Sequence, residues 1–248
     1  VVWICYDSAS IVFSFHYAAH SLLGFGPNKS KGHTMNRTKI YTLVGLFALG
    51  VSLFLAGRHF YLKNTNKNSL SAELVATLIR EHSPTFGDAN APVTMVEFLD
   101  PECESCAAIY PYIKAIMNEY QGKVRLVVRY APFHGNSVFA AQMLEAARQQ
   151  DRYWELIEVM FDRLPEWGSH HAPKPELLPV IAKSIGLDTE KMMQAIEAGT
   201  FNAQIELDRA DAQKLEVKQT PTFFINGQKP AELTLEAIRS LIDQALKN

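Results

Sequence analysis

Val93-Thr94-Met95-Val96-Glu97-Phe98-Leu99-Asp100-Pro101-Glu102-Cys103-Glu104-Ser105-Cys106 is the stretch that decides the fold. Its first seven residues are apolar and β-branched apart from Thr94 and one glutamate, a pattern that predicts a buried strand. Asp100 and Pro101 interrupt the run, and residues 103 to about 120 then read as a helix that Gly122 ends. Two cysteines three apart at a helix start can close a small ring without rearranging the backbone. The first sulfur stands where unpaired amides and the positive end of the helix dipole stabilise a thiolate. Cys103 is therefore expected to be the exposed attacking thiol, and Cys106, one turn in, the buried resolving one. Exchange would run through a mixed disulfide between Cys103 and a client.

The rest of the cysteine inventory supports a working pair. The chain has 248 residues and three cysteines, the third being Cys5. A fold stapled by disulfides needs more of them, at spread-out spacings. A CxxC can also be half of a zinc or copper site, but only His134, His170 and His171 could complete it, and no second CxxC exists. No metal site is expected. A formal net charge of -2 leaves no basic footprint for nucleic acid.

A second motif lies downstream: Gln219-Thr220-Pro221-Thr222-Phe223-Phe224-Ile225-Asn226-Gly227. Proline cannot donate within a sheet, so at the head of an apolar strand it needs a reason. A cis Thr220–Pro221 bond supplies one; an ordinary trans proline opening an edge strand is the other reading. Placed beside the cysteines, a cis proline would leave backbone groups free to pair with an extended client. Asn226-Gly227 reads as a tight turn.

Outward from these motifs, residues 123–130 (KVRLVVRY) form a second strand, and the pattern from Ser137 to about Glu216 is helical with several breaks. Upstream, Ser69 or Ser71 caps a helix through roughly His82, and residues 83–92 are rich in turn formers. A short final strand after Gly227 and a helix capped by Thr234 complete the order. The fold class is α/β, thioredoxin-like, with a helical insertion and one N-terminal transmembrane helix. Its parts are an extension (1–34), a signal-anchor (35–63), a linker and helix (64–92), a first thioredoxin-like part with the CxxC (93–135), the insertion (136–206) and a second thioredoxin-like part (207–248). Amphipathic helices over residues 138–148 and 153–161 offer Trp154, Met160 and Phe161 to the core. They either cover one side of the active site or make an apolar groove for clients.

Strand, CxxC, helix, insertion, TPTFFING and terminal helix, in that order, resemble the DsbA-like thioredoxin family across about residues 84–247. The segment Ala91-Pro92-Val93-Thr94-Met95-Val96-Glu97-Phe98 is similar to the lead-in of one of its branches. The resemblance implies a redox pair at Cys103 and Cys106, with no cofactor beyond that disulfide, and a client-binding cis-proline loop at Thr220 and Pro221. It also implies that Glu97 is a buried acid moving a proton to and from the inner thiol; an edge-facing glutamate is the alternative. The dipeptide Glu104-Ser105 departs from the histidine-containing pair of the family's strongest oxidants. Asp100, Glu102 and Glu104 crowd Cys103, so its pKa is expected to be less depressed, and its disulfide more reducing, than in those oxidants. His134 either helps to cap a following helix or contributes to proton transfer and client contact.

Residues 40–56 (IYTLVGLFALGVSLFLA) carry no charge and make about 25 Å of helix, slightly short of a hydrocarbon core. Arg37 and Lys39 precede them as in a signal-anchor, and the positive-inside bias mildly favours a cytoplasmic N-terminus. Residues 1–34 fit poorly, and Met35 looks like the natural start. The function these features imply is an oxidoreductase tethered to the bacterial inner membrane through residues 40–62, single-pass and facing the periplasm. Its partners would be cysteine-bearing client proteins and a membrane redox protein of the DsbB or DsbD type. Oxidase, reductase and isomerase stay open. The reading from another class is a thioredoxin-fold chaperone or a copper- or zinc-binding module using the CxxC as ligands.

Overall fold

The computed structural model describes residues 37–65, 72–169 and 171–247. The expectations for residues 1–34, for Met35, for the caps Ser69 and Ser71 and for His170 lie outside them. The chain divides into two units, Val1–Phe54 and Leu55–Asn248. The described part of the first is helix α1, Arg37–Thr65, which runs on past the unit boundary. Among the described residues no helix is long and apolar enough to cross a membrane.

The second unit is built on a four-stranded sheet of order β1-β3-β2-β4: β1 Thr85–Phe86, β2 Val93–Leu99, β3 Val124–Tyr130 and β4 Thr222–Ile225. β2 and β3 are parallel; β1 and β4 run antiparallel at the two edges. The parallel pair is joined through α3, Glu104–Glu119. Burial on both faces explains why β2 and β3 read as near-continuous apolar runs. One face carries Val93, Met95, Leu99, Leu126, Val128, Phe223 and Ile225 against α3, the insertion and α10, Leu235–Ala245. The other carries Val96, Phe98, Val127 and Phe224 against Leu78, Ala212, Leu215 and Val217.

Between β3 and β4 come α4 Ser137–Arg148, α5 Tyr153–Asp162, α6 Leu164–Trp167, a 3-10 turn at Pro175–Leu177, α7 Leu178–Ser184, α8 Thr189–Glu197 and α9 Asn202–Lys214, the last spanning the boundary expected at residue 206 and bringing Ala212 to the second sheet face. Met160 and Phe161 are buried, while Trp154 is partly buried and meets Phe86 of β1 edge-on at 5.4 Å.

Three expectations need correction. The helix drawn as far as His82 is only α2, Ala72–Val75. The carbonyls of Thr77 and Leu78, which would carry it onward, accept from Arg129 Nη1 at 2.6 and 2.9 Å. The short strand after Gly227 reduces to one bridge, Ile225 to Gln228, because Pro230 soon removes the next donor; β4 is itself the edge. Between them Asn226 and Gly227 turn with φ of 44° and 81°, the left-handed conformations an Asn-Gly turn supplies. Asn226 Oδ1 accepts from Thr94 N at 2.7 Å, locking this turn to β2. Finally, β1 forms inside the segment read as turns.

Candidate active site

β2 delivers the chain to Asp100, and α3 starts at Glu104 with Cys103 as its N-cap in extended conformation. Cys103 and Cys106 are both free thiols. Cys106 is 1% exposed, as an inner thiol requires, but Cys103 is only 7% exposed rather than open. The cis-proline loop lies over it: the Thr220–Pro221 peptide is cis, and the Cys103 thiol donates to the Thr220 carbonyl at 3.4 Å. β4 follows directly, so the loop and the helix start meet across the end of the sheet.

The two thiols are driven apart electrostatically. A hydrogen bond from Cys106 lowers the Cys103 pKa to about 5, against an opposing effect of burial and with help from Thr220 and the amides of Cys106 and Ser105. Cys106 is pushed up by burial, by its bond to Cys103 and by the charges of Glu97 and Cys103. Separation of this kind makes one sulfur a thiolate near neutrality and keeps the other protonated. Glu97 lies in the middle of β2, opposite Phe223 of β4 and Val128 of β3, and is 3% exposed. Burial, with the Cys103 charge, raises its pKa to about 8. It is therefore a carboxyl that can hold a proton at neutral pH within electrostatic reach of both sulfurs.

The three acids around Cys103 do not act as a group. Asp100 and Glu102 are 0% and 5% exposed and point into the loop after β3. Asp100 Oδ1 accepts from Glu102 N at 2.8 Å and from the Ser137 hydroxyl, and its Oδ2 accepts from the Phe133 and His134 amides at 2.7 and 3.1 Å. Glu102 accepts from Asn136 N and Nδ2, both at 2.7 Å. Their charge is spent on these donors, and only Glu104 is exposed. The Cys103 value of about 5 lies above the roughly 3.5 of the strongest oxidants of this fold. The reason is burial working against the hydrogen bonds, not a ring of carboxylates. His134 is no simple helix cap: its Nδ1 lies 2.7 Å from Asp100 Oδ2.

Sequence reasoning passed over Asp100 as a hub and over Ser137, which bridges it to Glu102. The signal was an aspartate two residues before the glutamate, with a Ser-bearing loop after the neighbouring parallel strand. Two clefts flank the cysteines. One runs past Pro221, Phe223 and Leu233; the other runs between α3 and the insertion past Glu104, Ala107, Phe161, Leu164 and His171. Among the described residues no group of three His, Cys, Asp or Glu side chains is placed to hold a metal ion.

A parallel-sheet core with a dithiol at a helix start and a cis proline against it defines a dithiol protein of thioredoxin architecture. The thioredoxin family model matches residues 80–244. Disulfide bond formation protein D of Bacillus subtilis is 30% identical over 173 residues, covering 66% of this chain and 77% of that protein. The chain belongs to the thioredoxin family, among its DsbA-like members. The crystal structure of oxidised BdbD from Bacillus subtilis superposes with a TM-score of 0.61 at 29% identity, covering 68% of this chain and 95% of that one. The Na(+)/H(+) antiporter NhaA of Herminiimonas arsenicoxydans is 31% identical over 143 residues, 58% of this chain but only 22% of the antiporter's length.

Proposed function

We propose that this protein is a thiol–disulfide oxidoreductase that exchanges disulfides with client proteins through Cys103, with Cys106 as the resolving thiol. The observation that carries the reading is the split between the two sulfurs. Cys103 is held near a pKa of 5 at the mouth of α3, and Cys106 is raised one turn deeper.

In the oxidising direction a client thiolate attacks the Cys103 sulfur of the Cys103–Cys106 disulfide and forms a mixed disulfide, releasing Cys106. A second client thiolate then attacks the client sulfur and expels Cys103 as a thiolate, a good leaving group because its pKa is low. Cys106 takes a proton as it leaves, and Glu97 is placed to supply it. The reducing direction runs the same steps backwards, with Glu97 accepting the Cys106 proton. The cis Thr220–Pro221 loop presents the backbone against which a client segment lies.

The test is the reduction potential of the pair in the full-length protein. A Cys103 pKa of about 5 falls between the roughly 3.5 and 7 of a strong oxidant and of thioredoxin. The potential should accordingly fall between their values of about -120 and -270 mV. Absence of a reversible two-electron couple would refute the reading, and Cys103→Ser should abolish exchange.

Residues 40–62 serve in this reading as an inner-membrane anchor with the catalytic unit in the periplasm, an oxidising space suited to disulfide chemistry. Support comes from the uncharged run over residues 40–56 and from Leu46, Phe47, Leu53 and Phe54, which are 66–74% exposed; the described part of α1 does not by itself make a crossing helix. A redox partner of the DsbB or DsbD type would recycle the pair within the same membrane. Carbonate extraction tests the anchor: recovery in the pellet is expected, and recovery in the soluble fraction would remove it.

A further inference from the structure

Next to the redox pair lies a polar cluster that the exchange steps leave unused. Asp100, fully buried at the end of β2, collects the Ser137 hydroxyl, three backbone amides and the His134 ring. Its carbonyl also receives the Cys103 amide at 3.0 Å. One residue thus ties the imidazole to the turn that carries the nucleophile. An imidazole whose Nδ1 meets a carboxylate keeps its proton there, so the ring gains or loses charge at Nε2. The dipeptide inside the CxxC, Glu104-Ser105, contains no base that could become a cation. His134 brings one to the same end of the sheet from the loop after β3.

Charged groups act on this ring from the turn before α3 and from the start of α3. Asp100 and Glu102 come from the turn before α3 and Cys103 from its first position; from α9, Glu206 and Arg209 flank the neighbouring Phe133. Burial disfavours the charged ring. The Asp100 hydrogen bond and the charges of Asp100, Cys103 and Glu102 outweigh it and raise the His134 pKa above 6.5. The Cys103 contribution exists only while that sulfur is a thiolate. In the disulfide it is gone, so the ring binds its proton more weakly in the oxidised protein than in the reduced one.

We propose that His134 is a positioning residue for the redox pair, held by Asp100 so that its imidazolium backs the Cys103 thiolate, its proton being taken up on reduction and released on oxidation. The inference rests on the thiol–disulfide reading above. Two electrons from a dithiol reductant break the Cys103–Cys106 bond. Cys103 becomes a thiolate, Cys106 takes one proton and His134 takes a second; the reductant loses two electrons and two protons as its own disulfide forms. Oxidation by a client disulfide reverses each transfer. In the wild type Glu97, whose pKa the Cys103 thiolate also raises, adds a redox-linked proton of its own; with Glu97→Gln, two protons accompany two electrons between the two pKa values of the ring. Above and below that window, and above the Cys103 pKa, one does.

The experiment follows the reduction potential of the full-length protein from pH 5.5 to 8.5, with the Cys103 thiolate titrated by its ultraviolet absorbance. Each proton taken up makes the reduction equilibrium tenfold less favourable per pH unit, about 30 mV for this two-electron couple. With Glu97→Gln in place to remove the second acid coupled to Cys103, the curve should change from two protons to one within the range. His134→Gln added to Glu97→Gln should lose the steeper segment, and His134→Gln alone should raise the Cys103 pKa and lower the thiolate fraction below it. His134→Arg, charged throughout, should keep the low Cys103 pKa yet also lose the steeper segment. If His134→Gln fails to fold, the imidazole resonances of the wild-type protein titrated in both redox states give the same answer: a higher His134 pKa in the reduced form is expected, and equal values overturn the inference. A working couple with one slope throughout, or an unchanged Cys103 pKa in His134→Gln, overturns it alone. A pair with no reversible couple sinks the oxidoreductase reading and the inference together.

Discussion

Glu97 and Arg129 sit one register step apart on neighbouring strands, pointing to opposite faces of one sheet, and their surroundings could hardly differ more. Phe98 pairs with Arg129 and Glu97 with Val128, and both charged residues are buried, at 3% and 0% exposure. Arg129 is satisfied on every side. Its Nε donates to Asp208 at 2.8 Å, Nη2 to Asp211 at 2.7 Å and Nη1 to the Thr77 and Leu78 carbonyls, while its guanidinium lies 5.5 Å above the Phe98 ring. Arg80 and His82 close the cluster from the other side of the aspartates. Glu97 instead shares its sheet face with Met95, Leu99, Val128 and Phe223 of the apolar core, and burial and the Cys103 charge both favour the neutral acid. A buried charge that only holds structure is neutralised by partners; one that moves a proton is left able to lose its charge.

The largest effect should come from breaking the first arrangement. Arg129→Met leaves Asp208 and Asp211 buried without their central cation, and breaking a buried pair costs about 3–5 kcal/mol. Urea unfolding should register that loss, with the reduction potential of the folded protein unmoved. A loss below about 1 kcal/mol would mean that water or rearrangement rescues the aspartates, and the contrast between the faces would fail.

Glu97→Gln should act in the opposite direction. Its folded pKa of about 8 exceeds the ordinary 4.5, so the folded state holds the proton more tightly than the unfolded chain. That contribution is complete below pH 4.5, declines as pH rises through the window and is lost beyond about pH 8. Glutamine has no proton to lose. The variant should match the wild type near pH 4 and exceed its stability by about 2–4 kcal/mol at pH 8. Its resolution step, followed in single turnover, should slow by on the order of a hundredfold. Equal stability curves would show that Glu97 is ordinarily charged in the folded protein.

The sheet face on which Glu97 lies was legible because β2 reads as an apolar strand with one intruding acid, and alternation places that acid with Met95 and Leu99. The same logic applies to Arg129 in KVRLVVRY, yet its meaning was hidden. Its aspartates lie about eighty residues on, at positions 208 and 211 of α9, one turn apart on a surface that looks merely polar. The CxxC and the Thr220-Pro221 motif were legible because cysteine and proline carry their chemistry locally. β1 was not, since two residues show no period; its place is set by Val128 N donating to the Pro84 carbonyl at 2.9 Å. The Asp100 hub was half visible: the acid was noticed, but the donors that quench it come from the loop after β3.

That hub supplies an intermediate case between the two faces. Ser137 is fully buried and its hydroxyl serves both Asp100 and Glu102. Ser137→Ala removes one donor while the amides of Glu102, Phe133, His134 and Asn136 remain, so the cost should be about 2 kcal/mol in urea unfolding, less than for Arg129→Met. A cost as large as that of Arg129→Met would mean that the hydroxyl alone holds the two carboxylates apart.

The smallest effect separates burial from mere pairing. Lys114 and Glu158 join α3 to α5 with side chains 47% and 46% exposed. If ion pairs mattered in themselves, Lys114→Ala would resemble Arg129→Met. In water the attraction between them is weak, salt screens it, and ordering two long side chains offsets much of what remains. The substitution should change stability by less than about 1 kcal/mol and by nearly nothing at high salt. A larger, salt-independent loss would point to the aliphatic stem of Lys114, which lies over the Tyr110 ring with its ammonium 5.9 Å from the centroid. Packing rather than charge would then hold α3 against α5. The contrast between the two faces would stand in that case, because it depends on how completely each charge is taken from water.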